Sequence, residues 1–488
     1  MGYDAVIEWL SEAIGASCSG VGAEDDRVNK RREAMICDMF ERYVSARDGD
    51  VVNDYFKVGD GDTLYAYNGV CYELIDDMML RFIVKKVMDR IKVGIVYRKN
   101  SHSKIAQECI ESLCCNDGCV FEPDRRYAVF RNAVLDTFTG AVHGHGMNYK
   151  TDLVLGFDYD PNAKSALWDN LVLQTIPDMG MRTAFQTFCG AFLADRNKYN
   201  IDYMLLLVGG GRNGKSVVAK AITGMFGDKL VSCYSPEQLF KSSQSLYHLA
   251  DVSGKLANYC DDVSNKDFSG GDFKEFVSGA PFQARHPYGR PFKVTKIPLM
   301  ICCVNNIPPT TDDSLGYFRR LLPIMCPNQV SEEDADRTLP DKLTAPEVRS
   351  AIFNWVYEGY KMFLKNNGEI AISESIKQMR KDIVDDSNSA RRWIKERGLV
   401  KVEPNGKFDS RWHSMKDWMA DYIAYCKEYS EPSKTTKAVG MIFKEMGFVC
   451  EKRGDTTWYC IGRVVSVEGD DGGTGMRYNA VAEDDLPF

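Results

Sequence analysis

The sequence predicts an α/β protein: a strand–loop–helix core, an α+β region before it and a winged-helix domain after it. Three observations carry this. Tyr203 to Val208 is an apolar run of strand length, and a glycine-rich loop and an apolar helical pattern follow it at once. Lys255 to Cys260 and Pro298 to Val304 are further apolar runs of strand length. Close to the C-terminus, two helical patterns lead into two β-type runs turned by Gly454-Asp455.

With 488 residues the chain has room for several domains, and 44% apolar residues suffice for folded cores. No apolar run approaches membrane-spanning length. The N-terminus MGYDAVIEWLSEAIG is acidic and amphipathic, unlike a signal peptide. The 16 cysteines follow no regular framework, which suits a reducing cytoplasm. Cys109, Cys114, Cys115 and Cys119 cluster without C-x-x-C pairs or a histidine at ligand spacing, and read as buried thiols in preference to a zinc site. A net charge of −8 confines any nucleic-acid surface to a local patch.

Residues 1–120 read as an α+β domain. Residues 1 to about 46 are helical, with Ile7, Leu10 and Ile14 at helical spacing and a Gly/Ser break near 15–23. Thr63 to Tyr67 and Val70 to Leu74 alternate across Asn68-Gly69, a hairpin signal. Helices are expected at 75–92 and 101–115. Asp60 and Asp62 sit in a Gly-rich turn and read as turn residues before metal ligands. Residues 121–195 read as a β-rich piece followed by a helical collar, the helix running from Ala166 to about Asp195. His143 and His145 fall in a Gly-rich turn and are expected to be exposed loop residues, not ligands.

The core, residues 196–330, opens with Gly209-Gly-Gly-Arg-Asn-Gly-Lys-Ser216, which is G-x-x-x-x-G-K-[ST] between a strand and a helix. Glycines let backbone N–H groups face a phosphate with no Cβ in the way. The helix starting at Lys215 turns its positive end to the same phosphates. Lys215 should reach the β/γ oxygens, and the Ser216 hydroxyl should ligate Mg²⁺. The chain is therefore expected to bind ATP through Gly209, Gly211, Arg212, Asn213, Gly214, Lys215, Ser216 and Val217.

The second strand ends in Asp261-Asp262. An acidic pair there suits Mg²⁺ and the attacking water, with Asp261 assigned to the metal and Asp262 to the base. The third strand ends at Asn305, whose amide can bind the γ-phosphate or the attacking water. Arg319 and Arg320 stand just before another apolar run. They serve either as ion-pair partners in their own fold or as arginine fingers on a neighbour's γ-phosphate. Between the second and third strands, Lys274 to Lys296 holds five Lys/Arg against one Glu, interleaved with Phe282, Tyr288 and Phe292. That mixture suits phosphate contacts and base stacking. Lys274, Arg285, His286, Tyr288, Arg290 and Lys293 are the candidate DNA contacts, on a hairpin whose tip is Tyr288-Gly289-Arg290.

The order GGGRNGKS, KLANYCDDV, FKEFVSGAPFQARHPYG, PLMICCVNNIPP and DDSLGYFRRLLPI resembles superfamily 3 helicases, above all the helicase half of phage and plasmid primase–helicases. NAVLDTFTG and FDYDPNAKSALW resemble the region preceding the motor in that family. The likeness spans roughly residues 120–465. It implies a homo-hexameric ring of AAA+ ATPase domains translocating on single-stranded or forked DNA. It also implies Lys274 and the 285–290 hairpin in the channel, Asn305 as sensor and Arg320 as the better finger. The chain departs from the family in carrying Asp-Asp where many relatives have Glu, and in showing no counterpart of the primase domain that often comes first.

Residues 331–375 read as a helical lid and 376–465 as the winged-helix domain. Residues 466–488 read as a flexible acidic tail ending Asp484-Asp485-Leu486-Pro487-Phe488. This ending resembles the C-terminal tip of bacterial single-stranded-DNA-binding proteins. The resemblance implies docking on host replication proteins, a host primase among them; the ring's own basic channel is the other possible acceptor.

Overall fold

A computed structural model describes residues 3–18, 38, 40, 55–59, 63–91, 104–109, 121, 123–196, 198–261, 263, 270–287, 289–307, 314–333, 335–404, 408, 410–467 and 475–480. The chain is a mixed α/β protein of two units. One comprises Met1–Val263, Glu275–Asn306 and Ile324–Ile372; the other comprises Ser264–Lys274, Ile307–Pro323 and Ser373–Phe488.

In the first unit, helix Asp4–Cys18 buries Val6, Leu10 and Ile14 against helix Asp77–Ile91, whose Leu80, Val84 and Val87 face inward. Spacings of three and four residues put each trio on one face. β1 (Phe56–Gly59), β2 (Thr63–Tyr67) and β3 (Tyr72–Ile75) complete this core as an antiparallel sheet. The expected hairpin is present, but its loop is longer than Asn-Gly. The Asn68 side chain accepts from the N–H groups of Val70 and Cys71, both at 3.0 Å, which holds those residues in the turn. Strand pairing therefore starts at Tyr72. Asp60 and Asp62 lie outside the described residues, as do Cys114, Cys115 and Cys119.

β4 (Tyr127–Val129), β5 (Val134–Asp136) and β6 (Val142–His143) form a second antiparallel sheet. His143 is exposed in β6, and His145 is tied to the Phe130 carbonyl at 2.8 Å. The long helix expected from Ala166 is two helices, Ala166–Thr175 and Met179–Gly190. Pro177 drives the residue before it out of the helical region, and Asp178 caps the second helix through Met181 N–H at 2.7 Å. Helix Pro346–Lys365 crosses this second helix closely. A Cβ on Gly190 would lie 2.1 Å from Tyr360 N, and one on Gly359 would lie 2.1 Å from Gln186 O.

The central sheet takes β7 (Met204–Val208), β8 (Val231–Ser232), β9 (Ala257–Cys260), β12 (Leu299–Val304) and β13 (Leu321–Met325) in the order β13-β7-β12-β9-β8. β12 runs parallel to both β7 and β9, and β8 runs parallel to β9. β7, β9 and β12 are buried along their whole length. Burial on both faces is why they read as unbroken apolar runs. β10 (Phe282–Arg285) and β11 (Pro291–Val294) form a separate antiparallel hairpin. Of the residues expected to form a helical lid, Leu339–Leu343 and Pro346–Lys365 are helical, residues 369–373 have no regular secondary structure, and helix Glu374–Ser387 begins at the lid's end.

In the second unit, helix Glu374–Ser387 leads into helices Ser389–Glu396, Met415–Glu428 and Thr436–Glu445, which pack around Trp393, Trp418, Tyr422 and Phe443. Buried Asp421 is satisfied by Trp393 Nε1 at 2.9 Å and by Arg397 at 2.9 and 3.2 Å. β14 (Leu399–Lys401), β15 (Trp412–Ser414), β16 (Val449–Arg453) and β18 (Gly475–Ala480) all pair with the long β17 (Thr456–Val467). The helix–helix–hairpin order appears where it was expected. β14 and β15 are additional, and β18 stands in a segment expected to be flexible. The terminal Asp484, Asp485, Leu486, Pro487 and Phe488 lie outside the described residues. Among the described residues no helix is long and apolar enough to cross a membrane.

Candidate nucleotide site and basic hairpin

The loop 209–214 joins β7 to helix Lys215–Phe226. Its glycines differ in what they do. A Cβ on Gly209 would meet Asn213 Nδ2 at 2.2 Å and Cys326 O at 2.3 Å, whereas one on Gly211 would meet nothing within 4 Å. Gly214 has φ +78°, and a Cβ there would sit 2.6 Å from Thr175 Oγ1. Arg212 adopts φ +58° despite its side chain. Its carbonyl accepts from Val330 N at 2.7 Å, and its guanidinium engages Glu332. Buried Asn213 donates to Cys326 O at 2.9 Å. The segment after β13 thus braces the loop from outside, through residues no motif singled out.

Lys215 is buried, and its three ammonium hydrogens have partners. Nζ lies 3.0 Å from Gly209 O, 3.1 Å from Gly210 O and 3.1 Å from Asn305 Oδ1. Asn305 follows β12, the strand beside β7, so strand register and the path of the loop together bring these two residues into contact. No side chain caps the helix at Gly214, which leaves the N–H groups of Lys215, Ser216 and Val217 aimed into the loop.

Ser216 Oγ donates to Asp261 Oδ1 at 2.7 Å. Lys220 Nζ lies 2.7 Å from Asp261 Oδ2. Burial pushes the Asp261 carboxyl up, but hydrogen bonds from Lys220 and Ser216 and the Lys220 charge outweigh it and hold the group below its ordinary value. A hydroxyl and an ionised carboxylate side by side are hard oxygen donors of the kind Mg²⁺ takes, and two ligands leave most positions to water and phosphate. Among the described residues no group of three His, Cys, Asp or Glu gathers as a softer metal centre. Asp262 lies outside the described residues. Burial pushes the neighbouring Cys303 thiol up to about 11, so it stays protonated.

On the hairpin, Arg285 pairs with Pro291 and Gln283 with Lys293. Arg290 and Lys293 are exposed, as is His286, whose ring stacks on Phe292 at 5.0 Å. Arg285 is placed differently. Its Nη2 donates to Tyr247 Oη at 3.1 Å, and the guanidinium stands 5.7 Å from that ring's centre. Tyr247 belongs to helix Ser245–Asp251, a partner the sequence did not announce. Tyr288 lies outside the described residues.

Lys274, Arg319 and Arg320 belong to the second unit. Lys274 Nζ donates to Ser314 Oγ at 2.9 Å. Arg320 Nη1 donates to Gly316 O at 2.5 Å, and Arg319 is the more exposed of the two.

A family of unknown function (DUF5906) matches residues 207–320, from the end of β7 to the paired arginines. Solved structures that resemble the chain include three apo forms of the NrS-1 C-terminal region. The A-form structure has 13% identity and a TM-score of 0.44, covering 83% of this chain and 94% of its own. The A-form structure of residues 305–718 has 12% identity and a TM-score of 0.45, and a further structure of that stretch 13% and 0.46; each covers 83% of this chain and 96% of its own.

Proposed function

We propose that the chain is an ATP-driven DNA helicase of the superfamily 3 kind, working in the replication of a phage or mobile element. In this reading AAA+ domains form a hexameric ring, and ATP is hydrolysed where subunits meet. The observation that carries it is Ser216 Oγ at 2.7 Å from Asp261 Oδ1, beside a loop whose lysine reaches the tip of the next strand.

Backbone N–H groups of the loop and the first helical turn hold the phosphates. Lys215 exchanges its carbonyl partners for β/γ oxygens. Ser216 and Asp261 hold Mg²⁺, which supplies charge neutralisation on those oxygens. Asn305 orients the attacking water, and Asp262 takes its proton. Arg320 of one subunit completes the pocket of the next, with Arg319 beside it. Lys274 lines the channel, and His286, Tyr288, Arg290 and Lys293 move with the hairpin and carry the DNA strand by phosphate contact and stacking. The acidic tail Asp484 to Phe488 docks a host replication protein.

The test is forked-duplex unwinding by purified protein with ATP and Mg²⁺. Strand separation that Lys215→Ala abolishes is the expected result. ATP hydrolysis with no strand separation on any fork would replace this reading with an ATP-switched initiator.

A further inference from the structure

Ser216 and Lys220 stand one helical turn apart on helix Lys215–Phe226, so their side chains leave the same face. They converge on one carboxylate, Ser216 on Oδ1 of Asp261 and Lys220 on Oδ2, each at 2.7 Å. Nothing in G-x-x-x-x-G-K-S calls for this lysine. It sits one turn in from the positive end of a helix that already carries Lys215. From Gly209 to Ile222 the chain has Arg212, Lys215 and Lys220 and no acid. Glu332 engages Arg212, and Asp261, just after β9, is the acid that meets Lys220.

We propose that Lys220 is a stand-in cation at the metal position: it neutralises Asp261 while no divalent ion is bound and must leave Oδ2 before one is taken up. This rests on the reading of Ser216 and Asp261 as Mg²⁺ ligands. A dication bound to Oδ1 would lie within a few ångströms of the ammonium, and the two repel. Lys220 therefore lowers the affinity of the site for a metal ion alone. An arriving nucleotide changes the balance, because its phosphates add negative charge that holds the metal and gives the released ammonium a new partner. The site is thereby biased to take metal together with nucleotide. The Lys220 and Asp261 side chains are 61% and 36% exposed, so exchange is unhindered and the effect is that of a surface ion pair.

The test is Mn²⁺ binding to the full chain without nucleotide, followed by electron paramagnetic resonance. Lys220→Met and Lys220→Gln should bind Mn²⁺ about two- to fivefold more tightly than wild type, the range of an exposed ion pair. Lys220→Arg, which keeps the charge, should behave as wild type. The difference should shrink as salt is raised, because the competition is between charges. Equal or weaker Mn²⁺ binding by both neutral variants at low salt overturns the proposal. Failure of the underlying reading looks different: Mn²⁺ affinity would not respond to Ser216→Ala or Asp261→Asn, and wild type would bind no fluorescent ATP analogue.

Discussion

Lys215 Nζ and Asn305 Oδ1 lie 3.1 Å apart, joining the loop after β7 to the residue after β12. The contact spans two adjacent parallel strands, so the same atoms are positioned by sheet register and by loop shape. Lys215→Ala should lower ATP turnover by about 10²–10³, the scale of losing one preorganised charge-stabilising donor. Asn305→Ala should also lower turnover while nucleotide affinity stays within a few-fold, because an amide that orients water acts mainly in the transition state. Steady-state hydrolysis with anisotropy of a labelled ATP analogue separates the two. Wild-type turnover in Asn305→Ala would remove Asn305 from the mechanism.

Two glycines of one motif should respond oppositely to alanine. Gly209→Ala forces a methyl to within 2.3 Å of the Cys326 carbonyl and 2.2 Å of the Asn213 amide, and the carbonyl belongs to backbone that cannot swing away. Overpacking of that kind costs about 1–3 kcal/mol and shifts the loop. Gly211→Ala meets open space. Thermal melts of both variants check this: Gly209→Ala should lose stability, and Gly211→Ala should melt as wild type.

What the sequence made legible follows from how local each signal is. β7, β9 and β12 are buried on both faces, so each announces itself as an apolar run. The loop is legible because its glycines and lysine sit within eight residues of one another. Lys220 was not, since its meaning depends on Asp261, which β9 brings to it from 41 positions away. Arg285 read as a free cation because Tyr247 lies 38 positions earlier on another element. β14 and β15 are three residues each, too short for an alternation to register. The break at Pro177 was available from the rule for residues before proline, but the apolar pattern on either side masked it.

The hairpin's cations should separate by experiment into two kinds. Arg290 and Lys293 are exposed, so each alanine variant should weaken single-stranded DNA binding and lower the salt slope by about one, leaving thermal stability unchanged. Arg285 is half-buried against Tyr247 and donates to its hydroxyl. Arg285→Ala should therefore lower the melting temperature, and Tyr247→Phe should reproduce part of that loss. An Arg285→Ala protein as stable as wild type would put Arg285 back among the freely exposed DNA contacts.

Asp136 ends β5 and is nearly fully buried, with Arg126 on both oxygens at 2.6 and 3.0 Å. Its Oδ1 also accepts from Phe138 N and Thr139 N at 3.0 and 3.2 Å. The Arg126 hydrogen bonds, first of all, hold its carboxyl well below the usual range, against the opposing effect of burial. A depressed folded-state value means the ionised group stabilises the fold above the unfolded value, about 3.9, and that this is lost as pH falls toward the folded value. Asp136→Asn should lower the urea midpoint at pH 7. The gap between variant and wild type should narrow below about pH 4. A gap independent of pH would assign the Asn effect to shape and not to charge.

Arg319 and Arg320 form the turn after the short helix Leu315–Phe318 in the second unit, Arg319 exposed and Arg320 half-buried. Arg320 donates to Gly316 O, so reaching a neighbour's phosphate means giving up a local hydrogen bond. A finger completes the pocket of the adjoining subunit, so one defective copy silences a site it does not itself bind. Doping wild type with Arg320→Ala should therefore depress ATP turnover faster than the mutant fraction rises. The same titration with Arg319→Ala tells which arginine reaches across. A strictly proportional loss for both variants would place the two guanidinium groups in service of their own subunit, and the ring reading would lose its intersubunit site.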